Sequence, residues 1–182
     1  IAGALDMVRN GADIIDIGGE STRPGADDIS LEEELRRIVP VIGTIAKSAS
    51  ILISVDTRRS KVAEDAAKAG AKILNDVSGL RHDKSMAYIA ARYDMVVIAM
   101  HMKGTPRDMQ KNPTYKDLIK EIITSLKESI SIAKKAGIRE DRIIVDPGIG
   151  FGKTVEHNLA ILNRLRELSV LRRPICIGTS RK

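Results

Sequence analysis

The sequence predicts an α/β fold built on a parallel sheet, and three features carry that expectation. Short runs rich in Ile and Val alternate with amphipathic stretches along the chain. These runs lack a clean two-residue alternation, as expected of strands covered by helices on one face and filled by a core on the other. Three of them close on a hydrogen-bonding residue: Ile51-Leu-Ile-Ser-Val before Asp56, Ala71-Lys-Ile-Leu before Asn75, and Ile143-Ile-Val before Asp146. Parallel strands point the same way, so groups at their C-terminal ends converge on one mouth. Two carboxylates and a carboxamide gathered there suit the edge of a flat heterocycle rich in N–H donors and ring nitrogens.

Taken in order, the predicted strands are Asp13–Ile17, Ile51–Val55, Lys72–Asn75, Met95–Ala99, Ile143–Asp146 and Ile175–Gly178. A helix over Ala2–Asn10 precedes the first. Ser30-Leu-Glu-Glu33 is a capping-box pattern ahead of Leu35, Ile38, Ile42 and Ile45 at helical spacing. Pro40 within that stretch predicts a kink or a break. Thr57 is placed to cap a helix through Val62, Ala66 and Ala69, which Gly70 would stop. Thr114-Tyr-Lys-Asp117 opens a long helix with Leu118, Ile122, Leu126, Ile130 and Ala133 on one face and Gly137 beyond it. Leu159, Leu162, Leu165 and Leu168 form an apolar stripe expected to face the core.

The 182 residues are read as a single domain, 1–182, with no linker, repeat or low-complexity tract. Regular alternation permits a doubly wound sheet or a (β/α)8 TIM barrel. Six visible strands, with one expected before Ile1 and one strand-helix unit after Lys182, favour a barrel cut at both ends.

Composition narrows the function classes. A single cysteine, Cys176, sits in the apolar run Pro174-Ile-Cys-Ile and is expected to be a buried small hydrophobe. No disulfide framework is available within one chain, which makes the cytoplasm the default compartment. No apolar run approaches the ~20 residues of a membrane span, and no membrane partner is expected. The net charge of +6 invites a nucleic-acid reading. Against it, the cations are dispersed along amphipathic helices, and Tyr and Phe total only four with no Trp. No nucleic acid is expected; an anionic small substrate accounts for the charge.

Three loops carry the chemistry. Ile17-Gly-Gly-Glu-Ser-Thr-Arg-Pro-Gly25 turns on two glycines and offers Ser21, Thr22 and Arg23 to an anion, although a polar connecting loop would look similar. Asp146-Pro-Gly-Ile-Gly-Phe-Gly-Lys-Thr154 is neither a Walker loop nor a dinucleotide fingerprint, because its glycines fall at 148, 150 and 152. It places Phe151, between two glycines and poorly suited to a core, near Asp146. Gly178-Thr-Ser-Arg-Lys182 brings two cations, and Lys182 is suited to a ring carbonyl or an anionic leaving group. His82, His101 and His157 show no mutual ligand spacing. Ser180 has no triad partners in sequence, and Asp16 is expected to point into the barrel.

Gly18-Gly-Glu-Ser-Thr-Arg-Pro-Gly25, Ser54-Val-Asp-Thr57, Asn75-Asp-Val-Ser-Gly79, Met100-His-Met, Asp146-Pro-Gly-Ile-Gly-Phe-Gly-Lys153 and Ser180-Arg-Lys182 together resemble the dihydropteroate synthases of the pterin-binding enzymes. Six motifs in family order are specific where one would be weak. The resemblance implies a transferase of folate biosynthesis, on a (β/α)8 barrel. Such an enzyme joins dihydropterin pyrophosphate to p-aminobenzoate and releases pyrophosphate with the help of Mg2+.

By motif position, the resemblance assigns Asp56, Asn75 and Asp146 to the pterin ring, with Lys182 reaching it from the last loop. It makes Asp56 and Lys182 catalytic. Val77 and Met100 would line the pterin pocket, while Thr22, Arg23, Phe151 and Ser180 would serve the aminobenzoate side. Gly150 and Gly178 would allow close backbone approach. The resemblance also implies a homodimer, and a metal-ligating Asn that would lie before Ile1. A methyltetrahydrofolate-binding corrinoid methyltransferase domain is the nearest rival, and a non-catalytic pterin-binding protein is another. Thr22-Arg23-Pro24 and Ser180-Arg-Lys182 favour the synthase.

Overall fold

The computed structural model describes residues 1–21, 27–105 and 107–179. Helix α1 (Ala2–Arg9) leads into β1 (Ile14–Gly18), followed by α2 (Leu31–Ser48), β2 (Leu52–Asp56), α3 (Ser60–Ala69) and β3 (Ile73–Asp76). Helix α4 (Met86–Arg92), β4 (Val96–Met100), α5 (Leu118–Lys135), β5 (Ile143–Asp146) and α6 (Val155–Asn163) complete the alternation, and a 3-10 helix covers Leu165–Leu171. All strand pairs are parallel, in the order β1-β2-β3-β4-β5.

That order decides between the two α/β architectures. A doubly wound sheet reverses its strand order partway across, at a switch point. Here each strand pairs with the next without reversal, which is the wall of a (β/α)8 barrel. The predicted sixth strand, Ile175–Gly178, is reduced to one parallel bridge between Ile175 and Val145. The Cys176 N–H donates to the Val145 carbonyl at 2.9 Å, so this segment lies on the edge of β5 away from β4.

Side-chain parity explains both faces. Ile53, Val55, Leu74, Val97, Ala99 and Ile143 point outward into a core closed by Ile38, Ile42 and Ile45 of α2, Val62 and Ala66 of α3, and Ala87 and Ala90 of α4. A second cluster packs Val145 against Ile119, Ile122 and Leu126 of α5, and against Ile161, Leu168 and Leu171. Residues of opposite parity, among them Asp16, Asp56, Asn75, Met100 and Asp146, are left for the interior and its mouth.

Several local expectations are corrected. Four strands end one residue later than predicted, because Gly18, Asp56, Asp76 and Met100 still take ladder positions. Pro40 does not break α2, which runs unbroken from Leu31 to Ser48. Thr57 does not cap α3. Its hydroxyl donates to Glu34 Oε1 at 2.6 Å, and the carboxylate of Asp83 accepts from the Ser60 N–H at 2.8 Å instead. The leucine stripe fails as a core face: Leu159 and Leu162 are exposed, and the buried residue of α6 is Ile161. The α-helix stops at Asn163, so the i, i+3 spacing does not continue on one surface. Cys176 is only partly buried, on the loosely paired segment after Pro174.

Candidate active site

On the β1–β3 side, polar groups are held by one another. Asp56 stands in register between Gly18 of β1 and Asn75 of β3. A side chain at Gly18 would press on Asp56, since an added Cβ would sit 3.3 Å from the Asp56 Cβ. The Asn75 amide donates to Asp16 Oδ2 at 3.0 Å, which fixes its orientation: the amide nitrogen faces Asp16 and the oxygen is turned elsewhere. Beyond Asp56, Arg58 donates to Glu20 Oε2 at 2.9 Å and to Asp28 Oδ1 at 2.9 Å. Arg59 donates to Glu34 Oε2 at 2.8 Å, Glu20 Oε1 at 3.2 Å and the Ile29 carbonyl at 2.6 Å. Two adjacent arginines therefore tie the end of β2 to residues 20, 28, 29 and 34. Burial works against the Arg58 charge, but Glu20 and Asp28 outweigh it and hold the guanidinium above its ordinary range.

The β4–β5 side is organised by burial. The His101 N–H donates to the Asp146 carbonyl at 2.9 Å, and the Gly148 N–H donates to Asp146 Oδ1 at 2.6 Å. Gly148 adopts φ +71°, and an added Cβ would lie 2.0 Å from the His101 carbonyl oxygen, so only glycine lets these loops meet. Burial pushes the Asp146 carboxyl up to about 6, opposed by the Gly148 N–H and the Lys153 charge. The Lys153 amine is buried as well, 3.0 Å from His101 Nδ1, and donates to the Phe151 carbonyl at 2.9 Å. Burial brings it down to about 7, with Asp146 acting in the opposite direction. His101 is driven down to about 3 by burial and by the charges of Lys153, Arg81 and Lys103, against a hydrogen bond with the Pro147 backbone. The neutral imidazole therefore accepts from Lys153 at Nδ1.

Between the two sides lies a small apolar cluster of Val77, Met100, Met109 and Phe151, with Met102 against it. Phe151 is thus largely buried, contrary to its expected exclusion from a core. The reason is that this cluster is a satellite built from residues at the tops of β3, β4 and β5. Phe151 packs with Val77 and Met100, the residues expected on the pterin side, and the structure draws no line between them.

The structure thus brings Asp56, Asn75, Val77, Met100, Asp146 and Phe151 to one end of the sheet. Among the described residues, Gly150, at φ +83°, and Gly178 have open space where a Cβ would stand, while the Gly150 carbonyl accepts from Gln110 at 2.7 Å and its N–H donates to Asn158 at 3.0 Å. Thr22, Arg23, Ser180 and Lys182 lie outside the described residues. Sequence reasoning missed the Lys153–His101 pair and the Arg58–Arg59 network. A lysine directly after a glycine-rich apolar segment, and two arginines directly after Asp56-Thr57, were the available signals. Among the described residues no group of three or more His, Cys, Asp or Glu side chains is placed to hold a metal ion.

Similarity to known proteins agrees with this geometry. A family model described as pterin binding enzyme matches residues 1–182. The dihydropteroate synthase of Clostridium beijerinckii is 49% identical over 177 residues, 97% of this chain, and the chain spans 63% of that relative's length. The structure of the Clostridium difficile dihydropteroate synthase in the presence of pteroic acid superposes with TM-score 0.93 at 46% identity, over 100% of this chain and 66% of that one. The Xanthomonas albilineans dihydropteroate synthase with 4-aminobenzoic acid gives TM-score 0.93 at 41% identity, over 100% of this chain and 64% of that one. With a match along its whole length and polar strand ends converging on one mouth, the chain belongs to the pterin binding enzyme family.

Proposed function

We propose that this chain carries the ring-binding part of a dihydropteroate synthase, a transferase of folate biosynthesis. It would condense 7,8-dihydropterin (hydroxymethyl) pyrophosphate with p-aminobenzoate to 7,8-dihydropteroate and pyrophosphate. One observation carries the reading: Asp56, Asn75 and Asp146 at the C-terminal edge of a single parallel sheet, beside an apolar cluster of Val77, Met100 and Phe151. The Clostridium difficile relative was solved with pteroic acid and the Xanthomonas albilineans relative with 4-aminobenzoic acid, and both ligands fit the proposed chemistry.

In the reaction, the aromatic amine attacks the pterin methylene carbon, the carbon–oxygen bond to pyrophosphate breaks, and the amine nitrogen loses its proton. Positive charge grows on that carbon and spreads into the ring as the leaving group departs. The carboxylates of Asp56 and Asp146 accept ring N–H donors and stabilise that charge. Asn75, oriented by Asp16, discriminates the ring edge. The aniline is nucleophilic without a general base, so positioning supplies much of the rate. Lys182 would face the ring, with Thr22, Arg23, Phe151 and Ser180 toward the aminobenzoate and Gly150 and Gly178 leaving room for it. Mg2+ would neutralise pyrophosphate charge when bound. The enzyme would work in the cytoplasm as a homodimer.

Incubating the full-length protein with dihydropterin pyrophosphate, p-aminobenzoate and Mg2+ tests the reading. Equimolar dihydropteroate and pyrophosphate are expected. A folded protein that yields neither, or that passes a methyl group from methyltetrahydrofolate to cobalamin, would overturn it.

A further inference from the structure

We propose that Lys153 is a positioning residue for Asp146, its buried amine clasping the loops after β4 and β5 through His101 and Phe151. The inference rests on the functional reading for what Asp146 binds, but not for the clasp itself. Lys153 is 3% exposed, and its partners are His101 Nδ1 at 3.0 Å, the Phe151 carbonyl at 2.9 Å and the His101 carbonyl at 3.3 Å. Three acceptors match the three donors of an ammonium. None is a carboxylate, so this is not a salt bridge that could hold its own position for stability alone.

Burying an amine without a charged partner is costly, and an apolar side chain of similar length would pack more cheaply. What the amine adds is direction. The same His101 donates its N–H to the Asp146 carbonyl at 2.9 Å. The same Phe151 closes the turn over Asp146, with its N–H on the Gly148 carbonyl at 3.1 Å, while Gly148 holds Asp146 Oδ1 at 2.6 Å. An added Cβ at Gly152 would lie 2.5 Å from the Lys103 carbonyl oxygen, so the two loops meet closely at Gly152 as well as at Gly148, just ahead of Lys153. Displacing the amine therefore releases the Asp146 carboxylate and Phe151 together.

The charge of Lys153 also acts on Asp146, lowering its proton affinity against the effect of burial. Other titratable groups share this environment. Cys176 feels Asp146 and Asp16, and Arg81 and Lys103 act with Lys153 on His101.

The test compares wild type, Lys153→Met and His101→Gln in the full-length protein, each checked for folding by circular dichroism. Asp146 is titrated without ligand by carbon-13 carboxyl NMR, and affinity for 6-hydroxymethylpterin is measured across the same pH range. Lys153→Met is expected to raise the Asp146 titration by about half a pH unit or more and to weaken pterin binding about tenfold. His101→Gln, which loosens the clasp but keeps the amine, should weaken binding at every pH and move the titration less. A folded Lys153→Met protein with an unmoved Asp146 titration and wild-type affinity overturns the proposal. If Lys153→Met does not fold, wild-type affinity in His101→Gln overturns it. Failure of the wild type to bind pterin counts against the functional reading, while the NMR titration still decides the clasp.

Discussion

The two sides of the mouth hold polar groups in place by different means. Around β1–β3, charges meet opposite charges: Arg58 with Glu20 and Asp28, Arg59 with Glu20 and Glu34. Around β4–β5, the partly buried Asp146 and the buried His101 and Lys153 meet N–H donors, carbonyls and a ring nitrogen, and desolvation displaces all three from their ordinary ranges. The contrast teaches that one site uses two kinds of support. Deleting a charge should break the first side, whereas changing pH should loosen the second.

The largest expected effect is on binding. Asp146→Asn should weaken affinity for 6-hydroxymethylpterin roughly 10- to 100-fold, the worth of a charge-assisted hydrogen bond, with the fold intact by circular dichroism. Next comes the ion-paired side. Arg59→Met removes the charged partner of the fully buried Glu34 carboxylate and leaves it the Thr57 hydroxyl, and denaturant unfolding should report a loss of about 3 kcal/mol. A small loss would mean that Thr57 alone satisfies Glu34.

Asp146→Asn should have the opposite sign in stability. The folded carboxyl titrates near 6, above its ordinary 3.8. Its favourable contribution is therefore complete below about pH 4 and is lost as pH rises through about 6. The amide keeps the acceptor without the charge, so near neutral pH the variant should be more stable by on the order of 1–2 kcal/mol, with no advantage near pH 4. His101 behaves differently. Its depressed value means stability that is present above its ordinary 6.5 and lost as pH falls toward about 3, and His101→Gln should blunt acid unfolding in that window. The smallest effect separates two glycines: Gly150→Ala, at φ +83°, should cost about 1 kcal/mol, and Gly178→Ala nearly nothing.

Much of this arrangement was legible in the sequence, for physical reasons. Apolar runs marked the strands because burial on both faces leaves few polar positions, and Asp56, Asn75 and Asp146 stood out as the exceptions. The N-cap at Ser30 is a local pattern and is present in the structure, although the Glu33 carboxylate accepts from Arg36 and Arg37 instead of closing the box. What escaped was non-local. Lys153 and His101 are 52 residues apart, Asn75 and Asp16 are 59 apart, and Asp83 reaches Ser60 across 23. Metal-ligand spacing among histidines carries no signal for a lone imidazole that accepts from a lysine. Leu159 and Leu162 mislead because helical spacing marks a face without saying which way it points: both lie on the exposed side of α6, whose buried residue is Ile161.

Ring recognition is the central claim, and direct titration of 6-hydroxymethylpterin into the full-length protein tests it without any contribution from catalysis. Wild type should bind. Asp56→Asn and Asp146→Asn should each lose at least about tenfold in affinity, and Arg59→Met, measured where it is folded, should lose less than either. Equal affinity in wild type and both carboxylate variants would contradict the account.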